Sequence, residues 1–556
     1  MSSRPARSRR GHPLAGLVAL AALPLLVLVV FFALPVAGMV GRGFFSGGSF
    51  DPRAVLEVLG RSRVHRVLWF TLWSAAAATT ATVLLGLPVA FVLHRLRFPG
   101  RRLVRAFVLM PFVMPTVVVG VAFRTLLASS GPLGPLHLDG TPVAIVAAMV
   151  FFNVAVVVRT VGVMWEGLDR RREEAAAALG ASPWQVLRTV TLPALAPAIV
   201  AAASVVFLFC ATAFGVVLTL GGLRYSTVET EIYLLTTQFL DLRAASALSV
   251  LQLVVVALLL YGAQRTRTAR EQPLDRAVER DTDRRPSAHH LPVLVVTIAV
   301  LAFVAAPLVT LLVRSLRADG GWSLQYYRDL ATTGAGGALL VPASQALANS
   351  WRVAVDATLV AMVLGVLVTL VVSHRPRSRL EGRGLAELDA VFMLPLGVSA
   401  VTLGFGFLIT LDRPPLDLRT SALLVPIAQA LVALPLVVRT LAPVLRSVDP
   451  RQRQAAASLG ASPVRVLLTV DLPALWRPLL AATGFAFAVS LGEFGATSFL
   501  ARPDNPTLPV VIYQLISRPG EQNYGMALAG SVLLGVVTVA VMAAVERLRL
   551  RSVGTF

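Results

Sequence analysis

The 556-residue chain is 56% hydrophobic and 14% charged, with a mean hydropathy of +0.76 and a formal net charge of +21. Soluble proteins carry about 25% charged residues, so the composition excludes an ordinary soluble enzyme and points to an all-α, polytopic membrane protein. The positive charge is all arginine, with no lysine; the missing lysine rules out a Walker A loop and a Schiff base, and a lone Cys210 rules out an internal disulfide and a Cys-rich metal site.

The chain opens with MSSRPARSRRGHP and then a long apolar run near 14–40. That run is too long for a signal-peptide core and is read as a retained first span. About twelve spans fit the roughly 20-residue requirement. In the first half they lie near 14–40, 66–93, 104–127, 141–164, 193–221 and 243–263. In the second half they lie near 291–313, 350–373, 389–411, 421–445, 474–500 and 524–545. The halves, 1–263 and 291–556, flank a charged linker, 264–290, expected to be a flexible tether.

Arginines gather in alternate loops: Arg4 to Arg10, Arg95 to Arg105, Arg170 to Arg172, the linker, and Arg375 to Arg383. The positive-inside rule then puts both termini in the cytoplasm. The loop 41–66, with five arginines, runs against this trend. Clustering in short loops also argues for topology over nucleic-acid binding.

Two polar stretches, Glu173–Leu195 and Arg453–Leu475, lie 280 residues apart and match at 16 of 23 positions. Other pairs keep the same register: His94-Arg95 with His374-Arg375, Arg159-Thr160 with Arg439-Thr440, Phe214-Gly215 with Phe494-Gly495, and Ile232-Tyr233 with Ile512-Tyr513. Six spans per half give the copies one orientation, so the duplication is parallel. Locally each stretch reads as two short helices meeting at a corner. Asp169 and Asp449 are N-caps, Gly180 and Gly460 are stops, and Ser182-Pro183-Trp184-Gln185 is a capping box with Pro at the first helical position. Leu192-Pro193 and Leu472-Pro473 mark the start of the next span.

The pattern Glu174-Ala175-Ala176, Gly180, Val190, Leu192-Pro193 resembles the EAA motif of binding-protein-dependent ABC importer permeases. The second copy, Gln454-Ala455-Ala456, Gly460, Val470, Leu472-Pro473, departs from it at Gln454, which keeps size and hydrogen bonding but loses the charge. The resemblance covers essentially the whole chain. It implies a fused type I permease with coupling segments 169–193 and 449–473 that dock on a cytoplasmic ATPase dimer. The ATPase-coupling residues would then be Glu174, Ala175, Ala176, Gly180, Pro193, Gln454, Ala455, Ala456, Gly460 and Pro473. Equal strength at the two docking sites does not follow, given Gln454. The resemblance also implies an extracytoplasmic solute-binding protein, a bacterial inner-membrane location, no catalytic or metal site, and no cofactor on this chain, with ATP and Mg held by the partner subunits. Stretches such as Arg97-Phe98-Pro99-Gly100-Arg101, Thr219-Leu220-Gly221-Gly222 and Ser490-Leu491-Gly492-Glu493-Phe494-Gly495 are similar to the thiamine and ferric-iron group. The last is also similar to molybdate and sulfate permeases.

Candidate pathway residues are Glu493 and Phe494, inside a span with flanking glycines, and Glu229 and Glu231 in an outer segment. A carboxylate at membrane depth costs several kcal/mol unless it faces a cavity or a partner. The competing function, a transporter driven by an ion gradient, would expect paired ionisable groups deep in both halves. Glu493 has Ala213 as its counterpart.

Overall fold

The structure is a computed structural model and describes residues 13–46, 49–268, 286–374, 376, 378–394, 398–412 and 417–553. Arg4 to Arg10, most of the linker, Arg375 and Arg377 lie outside the described residues. Among the described residues, ten helices are long and apolar enough to cross a membrane, or eleven if one bent pair counts as a span. In the first half these are Val18–Phe44, Ser62–Arg95, the pair Arg101–Val113 with Thr116–Leu127, Pro142–Glu166, Pro183–Ala211 and Leu242–Leu259. In the second half they are Ala288–Ser315, Ala343–Val372, Leu424–Ser447, Val464–Leu491 and Glu521–Val545. The twelfth expected span, 389–411, falls on Arg379–Met393 and Ala400–Thr410, with residues 395–397 between them outside the described set.

Three expected spans differ from the structure for identifiable reasons. The run 104–127 is two helices bent by 104°. Met114 is extended (φ −69°, ψ 142°), as the residue before a proline tends to be. Leu192-Pro193 does not start a helix: the helix already begins at Pro183 and runs through a π turn, Leu187–Thr191, directly before the proline. The wider turn accommodates a residue with no N–H to donate. The second copy repeats the device with a π turn over Leu467–Asp471 ahead of Pro473, and the first helix does so with Val29–Ala33 ahead of Pro35. Finally, the expected spans 193–221 and 474–500 end early, at Ala211 and Leu491.

The described chain packs as two compact units that do not follow the two sequence halves. One contains the described parts of Met1–Gly38, Trp351–Leu491 and Ala540–Phe556. Here the N-terminal helix lies on second-half residues: Phe31 meets Phe407 at 5.7 Å, and a Cβ on Gly38 would collide with Thr410. Its core is built of small residues, among them Ala361, Ala430, Ala433, Ala482 and Ala486, which let apolar helices approach closely. The other unit contains Met39–Ser350 and Gly492–Val539. There the first helix of the second half, Ala288–Ser315, packs against Ser62–Arg95 and Thr116–Leu127.

Each half also has a two-strand hairpin after its first helix, Phe45–Ser46 with Ser49–Phe50 and Arg317–Ala318 with Gly321–Trp322. The second turns through Asp319 and Gly320, both at positive φ, the arrangement a two-residue hairpin favours. These hairpins are 272 positions apart, outside the 280 register, so identity at fixed spacing could not reveal them.

Candidate functional site

The two polar repeats fold alike. Asp169 accepts a hydrogen bond from the Arg171 amide at 3.0 Å, and Asp449 accepts one from Arg451 at 2.9 Å. The short helices Arg170–Ala178 and Pro450–Ser458 both end at a left-handed glycine, Gly180 (φ +87°) and Gly460 (φ +82°). The Ala181 amide donates to the Ala176 carbonyl and the Gly180 amide to that of Ala177, with the same bonds from Ala461 and Gly460. This is a Schellman stop. Nothing crowds either glycine, so backbone conformation, not space, selects it. Ser182 then starts the next helix with a full capping box, accepting from the Gln185 amide at 3.3 Å while Gln185 accepts from the Ser182 amide at 2.7 Å. In the second copy Arg465 stands at the glutamine position, and the Ser462 hydroxyl accepts from its amide at 3.4 Å.

The corners project apolar side chains into solvent. Leu179 and Leu459 are 90% and 89% exposed, and Trp184 and Val464 are 65% and 66% exposed. Each pair is 280 positions apart, so both repeats present a bare apolar corner rimmed with arginine. Glu174 and Gln454 lie on the exposed side, whereas Ala176 and Ala456 are half-buried.

Residues outside the motif tie each corner to its unit. Glu173 accepts from Arg95 at 2.8 Å and from the Thr191 hydroxyl at 3.0 Å, and Arg95 also donates to the Trp165 and Leu168 carbonyls. In the second copy Arg453 pairs with Asp471 at 2.8 Å and donates to the Leu445 carbonyl at 3.2 Å. Positions 173 and 191 correspond to 453 and 471. The same junction is therefore held by a glutamate with a threonine in one copy and an arginine with an aspartate in the other. Sequence reasoning passed over these four residues. Their signal was a charge exchange, Glu173 to Arg453 and Thr191 to Asp471, among the seven mismatched positions of the repeat.

The pathway candidates are placed as follows. Glu493 is buried, and its carboxylate accepts from the Ala496 amide (2.8 Å), the Thr497 amide (3.0 Å) and the Thr497 hydroxyl (2.5 Å). These bonds satisfy two amides at the start of the turn Thr497–Leu500. Glu231 is buried and paired through both oxygens with Arg63, at 2.5 and 3.0 Å, and that guanidinium also covers Phe239. Glu229 is fully buried and accepts from Gln252. Neither lies in a solvated loop: both are on the helix Val228–Thr237. Nearby, Asp241 caps Leu242–Thr268 through the Ala244 amide and pairs with Arg61 at 2.7 Å. Burial alone would raise its carboxyl, but the amide and the guanidinium outweigh this and hold it below the usual carboxylate range.

Phe494 belongs to a cluster of five rings, four of them related by the duplication; the fifth, Phe499, meets Tyr233 at 5.4 Å. Phe494 stacks on Phe214 with centroids 5.3 Å apart and meets Tyr513 at 5.6 Å. Phe214 meets Tyr233 at 5.5 Å, and the two tyrosines stand 6.4 Å apart. The four are two copies of one pair, since Phe214 matches Phe494 and Tyr233 matches Tyr513 at 280 residues. Beside the rings opens a cavity of about 240 Å³ lined by Tyr233, Phe494, Ser498, Tyr513, Gln514 and Arg518, among others. Phe214 follows the end of the helix Pro183–Ala211. At about 1.5 Å per residue, that helix separates the cluster from the first corner by roughly a membrane's thickness.

Two exposed corners and a buried aromatic cluster, each written twice within a bundle of apolar helices, define a multi-pass membrane transport subunit. The chain belongs to the family described as the binding-protein-dependent transport system inner membrane component, which matches residues 82–270 and 361–552. It is 28% identical over 565 residues to the thiamine transport system permease protein ThiP of Brucella suis, covering 98% of each chain. It is 27% identical over 510 residues to ThiP of Escherichia coli, covering 89% of this chain and 91% of that one. The sulfate transport system permease protein CysT of Escherichia coli is 35% identical over 214 residues, 37% of this chain and 77% of that protein.

Proposed function

We propose that this chain is the membrane-spanning subunit of an ABC importer for thiamine or its phosphates. The observation that carries the reading is end-to-end similarity to thiamine permeases: both halves and the connection between them align, whereas the sulfate permease covers little more than a third of the chain. The aromatic cluster suits a flat cation such as a thiazolium, which aromatic faces attract.

In this reading the two corners are handles for a cytoplasmic ATPase dimer. Leu179 with Trp184, and Leu459 with Val464, are apolar side chains that a cleft on each ATPase subunit would cover. Glu174, Ala175, Ala176, Gly180 and Pro193, with Gln454, Ala455, Ala456, Gly460 and Pro473, shape those handles. The termini face the cytoplasm, and an extracytoplasmic binding protein delivers the solute to the side opposite the corners. The test is titration of the partner binding protein with thiamine, thiamine pyrophosphate and Fe(III). Saturable thiamine or thiamine pyrophosphate binding is the expected result. Binding of Fe(III) alone would replace thiamine with iron as the solute.

A further inference from the structure

The duplicated ring pairs meet where the chain is least regular. Residues 212–214 and 492–496, which include Phe214 and Phe494, are not regular helix and follow the ends of two spans. Irregular backbone at the far end of a span is tolerated where it is buried in protein or lines a cavity. Both turns are also pinned. A Cβ on Gly215 would collide with the Thr116 side chain, and one on Gly492 would come within 3.0 Å of Pro115. These contacts fall on the same 104° elbow between Arg101–Val113 and Thr116–Leu127. The rings touch one another, so the cluster is closed, and the cavity lies against one side of it. In a parallel duplication, equivalent residues from both copies meet at the axis relating the halves, where transporter pathways run.

From this we infer that Phe214, Tyr233, Phe494 and Tyr513 form the selective constriction of the solute pathway. The cavity beside them receives the solute, the Phe214–Phe494 stack parts to admit it, and the ring faces contact a flat heteroaromatic cation as it passes. The inference rests on the importer reading above for the identity of the solute, but not for the location of the constriction.

The test uses proteoliposomes holding the chain with its ATPase subunits and binding protein. Two double variants are compared with the parent: Phe214→Ala with Phe494→Ala, and Phe214→Leu with Phe494→Leu. Leak is read as ATP-independent efflux of a preloaded neutral sugar. Selectivity is read as the ratio of ATP-driven uptake of thiamine to that of 3-deazathiamine, its uncharged thiophene analogue. The alanine pair is expected to raise the leak about ten-fold. The leucine pair, which keeps bulk but loses the π faces, is expected to stay sealed and to lower the thiamine preference by about ten-fold. If the alanine pair does not assemble, the leucine selectivity decides. A sealed alanine complex with normal ATP hydrolysis, or an unchanged preference in an active leucine complex, overturns the inference. A parent that leaks no sugar yet carries no thiamine contradicts the solute reading instead, and the sugar leak of the alanine pair still tests the constriction.

Discussion

Glu493 illustrates how a single buried charge can be held by its own chain. A carboxylate between Gly492 and Gly495, within an apolar run, has the marks of a pathway residue. Its oxygens instead accept from the Ala496 and Thr497 amides of its own chain. Truncation to alanine leaves two buried amides without a partner, at about 1–3 kcal/mol each. Glu493→Ala is therefore expected to lower the thermal unfolding temperature of the detergent-solubilised protein clearly, and Glu493→Gln, which keeps one acceptor, less so. Thiamine KM should be unchanged in Glu493→Gln. A shifted KM at unchanged stability would mean that the carboxylate touches solute. Glu229 and Glu231 were similarly visible as acidic residues, but their partners, Gln252 and Arg63, come from 23 and 168 positions away and are set by tertiary packing that no local pattern encodes.

At the scale of elements, the corners were the most legible part. Cap, alanine run, left-handed glycine and Ser-Pro restart are all local chemistry and all stand as read. The bends were less legible. Pro115 and Pro193 were both visible, yet one sits at a 104° elbow and the other inside a continuous helix opened by a π turn. Proline marks a lost donor; packing decides whether the chain breaks or widens around it. The aromatic cluster was half legible. The 280 register linked Phe214 with Phe494 and Tyr233 with Tyr513, but only the structure shows that the two pairs meet. The exchanged junction charges give an element-scale prediction. Glu173→Arg places a second cation beside Arg95, which is 7% exposed, and should cost about 1–3 kcal/mol. It should also weaken ATPase docking on the first corner. Adding Thr191→Asp recreates the arginine–aspartate pair of the second copy and should restore most of the loss. Co-purification of the ATPase with each variant measures it, and no recovery in the double variant would show that the two junctions are not interchangeable.

At the scale of the whole molecule, duplication has kept the mechanical parts alike and let the contacts around them diverge. Both corners present a leucine about 90% exposed at the end of a short helix, just before the helix that continues into the membrane, while Glu174 faces Gln454 in the alignment and Ala213 faces Glu493. On the proposed importer reading such a chain would be driven by an external motor, whereas an ion-driven transporter would carry its energy coupling in its own spans. The direct measurement is uptake of radiolabelled thiamine into proteoliposomes holding this chain, its binding protein and its ATPase subunits, with ATP supplied to the ATPase. The account predicts accumulation against a gradient that stops when ATP or the ATPase subunits are left out. Equal accumulation by the chain without the ATPase, driven by a proton or sodium gradient, would contradict it.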